Sequence, residues 1–170
     1  AEVVETDSTL LIEAKSYQGV VFTENRPLPF AHVGDSLVTV KALKLFMWSD
    51  SVRFRQATPA NVAAFERAFQ SYWADAKAES LATANEKTYL PFSRIDFLGR
   101  QYIGFADTTG RPHLFVNLFP LDQVNSMRKE KDWRRYPVQA VDGGPAYFTL
   151  KYDLQRGKIY DIRQNGPKWW

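Results

Sequence analysis

From Pro59 to about residue 82, apolar side chains return at intervals of three and four: Val62, Phe65, Phe69, Tyr72, Trp73 and Ala76, with Asn61, Arg67, Gln70 and Lys77 elsewhere on the wheel. This period is one face of an amphipathic α-helix of about six turns. Thr58 before Pro59 marks its start. A hydroxyl serves as N-cap, and proline at the first helical position gives up an N–H that has no intrahelical partner anyway. An aromatic stripe of this size needs a broad apolar surface to lie on, so the rest of the chain must supply a sheet.

Strand-like runs follow at 93–98, 101–107, 112–119, 136–141, 145–153 and 157–163. Turn residues separate them at Leu98-Gly99-Arg100, Asp107-Thr108-Thr109-Gly110 and Gln155-Arg156-Gly157. Strands joined by tight turns are antiparallel, and no βαβ alternation is present, which removes the usual nucleotide folds. The predicted class is α+β: one long helix, with Val62, Phe65, Phe69, Tyr72 and Trp73 buried, on a curved antiparallel meander of cystatin-like or roll-like form. Upstream, residues 9–14 and 19–23 predict a hairpin around K-S-Y-Q. E-N-R-P-L-P-F at 24–30 predicts an extended connector, because its prolines exclude helix and central strand alike. Residues 36–48 and 52–55 read as strands, the latter with Arg53 and Arg55 on one face. The expected organisation is an N-terminal strand extension over residues 1–35 and a single α+β domain over 36–170; whether the two share a core is open.

The stretch V-D-G-G-P at 141–145 looks like a ligand loop, since paired glycines can cradle an anion. A phosphate loop, however, opens a helix whose N–H groups face the anion, and here an alternating strand follows. A hairpin turn with positive φ at Gly143 or Gly144 is the better reading.

Several of these segments together resemble small uncharacterised exported or lipid-anchored bacterial proteins: F-R-Q-A-T-P at 54–59, N-L-F-P at 117–120, K-D-W-R-R-Y-P-V at 131–138, V-D-G-G, and a last strand ending in R-Q-N-G. The resemblance covers roughly residues 45 to 166 and rests on turn and core residues. It implies a shared helix-plus-antiparallel-sheet domain and an exported bacterial setting, and assigns no activity. The chain starts without methionine, which is read as the result of a cleaved export signal. No run approaches the roughly 18 apolar residues of a membrane span.

The chain has no cysteine, which excludes a disulfide framework, thiolate metal sites and a cysteine nucleophile. Its two histidines, His32 and His113, stand in no metal-ligand spacing, and no serine sits in G-x-S-x-G. His113, on the run 112–119, could meet an acid across the sheet. Asp96, Asp107, Asp142, Asp153 and Asp161 fall in strands or near turns, where aspartate commonly bonds its own backbone. Twenty-two cations stand against 19 anions, mixed along the chain, which argues against nucleic acid as partner. The basic run Ser126–Arg135 reads as a solvated connection anchored by a buried Trp133, with stacking on a base as the rival.

Aromatic residues make up 15% of the chain, and adjacent pairs such as Tyr147–Phe148 and Trp169–Trp170 cannot both enter one core if extended. One sheet face is therefore expected to carry exposed or partner-covered aromatics. The expected function is a non-enzymatic binding module for a protein, peptide or glycan, with Trp133, Arg134, Arg135, Tyr147, Trp169 and Trp170 as contact residues and no cofactor, metal or catalytic residue. A small hydrolase or lyase using sheet carboxylates with His113 is the alternative, and a structural subunit of a surface assembly is a third.

Overall fold

The computed structural model describes residues 2–5, 9–24, 27–33, 36–41, 51–83, 95–127, 132–138 and 146–164. Its strands are β1 (Glu2–Glu5), β2 (Thr9–Ala14), β3 (Tyr17–Phe22), β4 (Pro27–Val33), β5 (Ser36–Lys41), β6 (Arg53–Phe54), β7 (Leu98–Ala106), β8 (Pro112–Pro120), β9 (Phe148–Asp153) and β10 (Lys158–Gln164). Two α-helices, α1 (Pro59–Thr83) and α2 (Leu121–Met127), and a 3₁₀ turn at Ile95–Phe97 complete the described elements. The class is α+β: α1 lies on a mostly antiparallel sheet.

The main sheet runs β1-β2-β3-β7-β8-β9-β10, with β6 also paired to β7. One pairing departs from a meander: β3 and β7 are parallel, from Gln18↔Gly99 to Phe22↔Ile103. A parallel neighbour requires a long crossover, and the chain between β3 and β7 includes α1. β2 and β3 therefore belong to the main sheet, and Leu10, Ile12 and Val21 share a core with α1. Residues 27–30 of the segment 24–30, expected as a connector, belong to strand β4. Among the described residues β4 pairs only with β5, in a two-stranded sheet where Pro29 and Ala31 flank a register shift. Outside a central strand, a proline's missing donor is tolerated.

Helix α1 begins with a reciprocal cap. Thr58 N–H donates to Asn61 Oδ1 at 3.0 Å, and Asn61 N–H to Thr58 Oγ1 at 3.3 Å. Val62, Phe65, Phe69 and Trp73 are buried, as expected, but Tyr72 is 36% exposed. The row 62-65-69-73 already fills the sheet-facing stripe, and Tyr72 lies about 100° around the helix from Trp73. Phe65 and Phe69 stack at 5.3 Å, and Trp73 stacks on Phe148 of β9 at 6.0 Å.

Both faces of the sheet are covered. On the α1 side, Leu98 and Tyr102 of β7, Leu114, Val116 and Leu118 of β8, and Phe148, Leu150 and Tyr152 of β9 form one apolar cluster. On the other side, Val20, Phe22, Ile103, Phe105, Phe115 and Phe119 pack with Val124 of α2 and with Trp133, Val138 and Tyr147. Tyr147 and Phe148 do point to opposite faces, and each enters its own core. The expected aromatic-bearing exposed face is thus absent among the described residues, because two covering layers bury aromatics of both parities.

Three strand assignments move. The expected turn Leu98-Gly99-Arg100 lies inside β7, with all three residues buried, and Ile95–Phe97 form a 3₁₀ turn ahead of it. Gly99 is needed there because a Cβ would run into the Phe119 ring. Residues 136–138 are not a strand: side-chain amides of the sheet take over their backbone bonds. Gln101 Nε2 donates to the carbonyls of Trp133 and Tyr136, both at 2.7 Å, and Gln101 Oε1 accepts from Val138 N–H at 2.8 Å. Asn117 Nδ2 donates to Val138 O at 2.7 Å and to Gln101 Oε1 at 3.1 Å. The D-G-G turn lies outside the described residues; among the described glycines those with positive φ are Gly110 and Gly157, each in a turn named from the sequence.

Candidate functional site

At one end of the sheet, on the face opposite α1, two aspartate turns converge on His113. Asp107 closes β7, and its Oδ1 accepts three donors of the T-T-G turn: Thr109 N–H at 2.8 Å, Thr109 Oγ1–H at 2.7 Å and Arg111 N–H at 3.0 Å. Those bonds, the Thr109 hydroxyl first, hold the Asp107 carboxyl far below the usual carboxylate range. Its other oxygen, Oδ2, lies 3.3 Å from His113 Nε2. Asp153 closes β9 and pairs with His113 in the sheet register. Its Oδ1 accepts Gln155 N–H and Arg156 N–H, both at 2.9 Å, and the Arg156 amide is the leading cause of its lowered pKa.

His113 is 6% exposed. Its ring stacks on Phe105 at 5.0 Å, and its Nδ1 lies 2.9 Å from the Tyr160 hydroxyl. An ionised Asp107 can only accept, so Nε2 carries a proton toward it, while Nδ1 and the Tyr160 hydroxyl share the second hydrogen bond. Burial pushes the Tyr160 phenol up to about 12, and Asp153, Asp107 and Asp161 push the same way. Tyr160 therefore stays neutral at physiological pH.

Strand β10 bends at this point. The β9–β10 register shifts between Tyr160 and Arg163, and Asp161 has φ 50°, in the left-handed region that aspartate tolerates better than most residues. The bulge brings the Asp161 carboxylate to Lys151 Nζ at 2.5 Å, and Arg163 grips it through Nε at 2.8 Å and Nη2 at 3.2 Å. The Arg163 bonds, then those from Lys151, lower the Asp161 pKa. Bulges of this type re-aim side chains at functional edges. The product is a charged patch whose side chains range from about one-fifth exposed at Lys151 and Asp161 to 73% at Arg163.

A second polar cluster is sealed between α1 and the sheet. Glu66 Oε1 accepts from Arg100 Nε at 2.9 Å and from the Tyr102 hydroxyl at 2.6 Å. Arg100 Nη1 donates to Leu98 O, and the guanidinium lies over the rings of Tyr17 and Phe69. Burial raises the Glu66 pKa, with Arg100 opposing it, and burial raises the phenols of Tyr102 and Tyr17. Both charged side chains are almost fully buried, so this pair ties helix to sheet and does not face a ligand.

Of the contact residues expected from the sequence, Trp133, Arg134, Arg135 and Tyr147 are described. Trp133 is buried edge-to-face on Phe119 at 5.7 Å, and Tyr147 is buried in the same cluster, so neither offers a ring to a partner. Arg134 is half-exposed, its guanidinium 5.2 Å from the centre of the Trp133 ring, and Arg135 is exposed. Trp169, Trp170 and Asp142 lie outside the described residues. Asp107, Tyr160 and Lys151 were missed as a unit. The available signal was two D-x-x-G or D-x-x-x-G turns bracketing the strands that flank His113. Among the described residues, no three His, Asp or Glu side chains are placed to hold a metal ion. No described helix is long and apolar enough to cross a membrane. Comparisons with protein-family models, curated proteins and solved structures found no match.

Proposed function

We propose that this chain is a non-enzymatic recognition module, exported from a bacterial cell, that binds a protein, peptide or glycan partner through the β9–β10 corner. The observation that carries the reading is that the acid–base groups there are already engaged. Both nitrogens of His113 have partners, Oδ1 of Asp107 and Oδ1 of Asp153 each accept turn donors, and Tyr160 is held neutral. What faces outward is a pre-organised array of Lys151, Asp161 and Arg163 beside Ile162, which is 37% exposed. Braced arginine next to an exposed apolar side chain suits recognition, because less side-chain freedom is lost on contact. The exported setting rests on the resemblance over residues 45–166.

A second reading, a small hydrolase or lyase, is favoured by the alignment of Asp107, His113 and Tyr160, which could pass a proton if the Tyr160 hydroxyl met a substrate. Peptide and glycan arrays probed with the purified chain and with Arg163→Ala and Ile162→Ala separate the two. A partner bound by the parent chain and lost by both variants at unchanged melting temperature supports recognition. Turnover of an array sugar or peptide that disappears with Tyr160→Phe while Arg163→Ala keeps it would replace that reading with the enzymatic one.

A further inference from the structure

The two outer strands of the sheet are built differently. β10 carries a bulge, a left-handed Asp161 and the charged side chains of Lys158, Asp161 and Arg163. These devices keep other chains from adding to a sheet edge. β1 has neither the bulge nor a left-handed residue, and its charges are confined to Glu2 and Glu5 at its two ends. Its register with β2 is unbroken from Glu2↔Glu13 to Glu5↔Leu10, it contains no proline, and all four residues are exposed. Val3 and Val4 are 43% and 44% exposed. Among the described residues β1 pairs only with β2, so a regular row of backbone donors and acceptors lies along its outer side.

We propose that the outer edge of β1 is a strand-addition site for an extended, basic segment of a partner polypeptide, with cations opposite Glu2 and Glu5 and apolar residues between them. The charges of the edge choose this occupant. Two copies of the chain related by a twofold axis would pair antiparallel, and the full-length register sets Glu2 of one against Glu5 of the other at both ends. Like charges directly opposite are destabilising, and a shifted register shortens the pair and puts glutamate against valine. A partner with lysine or arginine in those positions turns both contacts favourable. Glu2 also stands opposite Glu13 on the inner side, and that rung continues into Gln18 and Gly99 with no cation. A cation opposite Glu2 neutralises a repulsion that the fold leaves in place. Backbone bonds would supply the affinity and the alternating side chains the selectivity, the mode by which extended peptides extend an exposed sheet edge. The site uses no residue of the β9–β10 corner, which lies at the opposite edge.

The test uses two labelled hexapeptides, Thr-Lys-Val-Val-Lys-Thr and Thr-Glu-Val-Val-Glu-Thr, titrated into the full chain by fluorescence anisotropy, with hydrogen exchange read at residues 2–5. The basic peptide is expected to bind at least about tenfold more tightly than the acidic one, the difference that a few cross-strand charge pairs supply. It should slow exchange in β1 and lose affinity as salt rises. The double variant E2K/E5K, whose changes fall on exposed side chains, should reverse the preference without lowering the melting temperature, whereas Arg163→Ala should leave it as it was. No binding of the basic peptide at millimolar concentration, equal affinity for both peptides, protection elsewhere than β1, or a dimer of the parent chain that E2K/E5K dissociates would each overturn the proposal.

Discussion

The hydroxyl of Tyr160 lies 2.9 Å from Nδ1 of His113, a contact between residues 47 apart in the chain. It exists because β10 folds back on β9 and β9 on β8, so that three strands present Tyr160, Asp153 and His113 on one face. Asp107, brought in by the turn after β7, holds the other ring nitrogen. The imidazole is thereby fixed between a carboxylate and a phenol while being almost fully buried, and the corner keeps one geometry.

Removing the hydroxyl in Tyr160→Phe should lower stability by about 1 kcal/mol, the usual net value of one intramolecular hydrogen bond. Urea unfolding measures it. The same substitution made on a His113→Ala background should cost markedly less, since its partner is gone; equal costs would show that the contact contributes nothing.

Acid should weaken the fold through Asp107, Asp153 and Asp161, whose pKa values are all lowered in the folded state. Their contribution is present above the unfolded carboxylate value of about 4 and is lost as pH falls through the lower folded values. Glu66, raised by burial, acts in the opposite sense: its ionisation weakens the fold as pH rises through the unfolded value toward the folded one. With three groups against one, melting temperature should fall between about pH 5 and pH 3, and Asp107→Asn should flatten that limb. An unchanged slope in the variant would refute the assignment to Asp107.

Arg100→Leu should destabilise by about 3–5 kcal/mol, because it strands the Glu66 carboxylate in a sealed interior. Adding Glu66→Leu should recover much of that loss. Guanidinium unfolding of the single and double variants checks both statements, and a double variant no better than Arg100→Leu alone would contradict them.

Phe69→Ala should cost about 3–5 kcal/mol, as expected for emptying a fully buried aromatic site between Phe65, Trp73 and Phe148. Tyr72→Ala, three residues along and exposed, should change stability by no more than about 0.5 kcal/mol. Similar losses for the two would mean that the helix is rotated from the orientation described.

Helix α1, its start at Thr58, the turns at Gly110 and Gly157 and the α+β class were legible in the sequence. Each depends on interactions within a few residues, and periodicity and turn chemistry report those directly. Tyr147 and Phe148 mark the limit of that reading: alternation shows that they face opposite ways, yet only the tertiary structure reveals that a second layer of α2 and residues 132–138 turns the far face into another core. The same holds for Gly99 and Arg100. A glycine beside an arginine looks like a turn until the Phe119 ring occupies the Cβ space and Glu66 meets the guanidinium inside the fold. Glu66 itself sits within the apolar stripe of α1, which flags it as buried without naming its partner. Asp107, His113, Asp153 and Tyr160 were visible as separate turn and strand residues. Their assembly depends on strand order and register, which non-local backbone pairing and the burial of two faces decide, and local sequence carries no record of either.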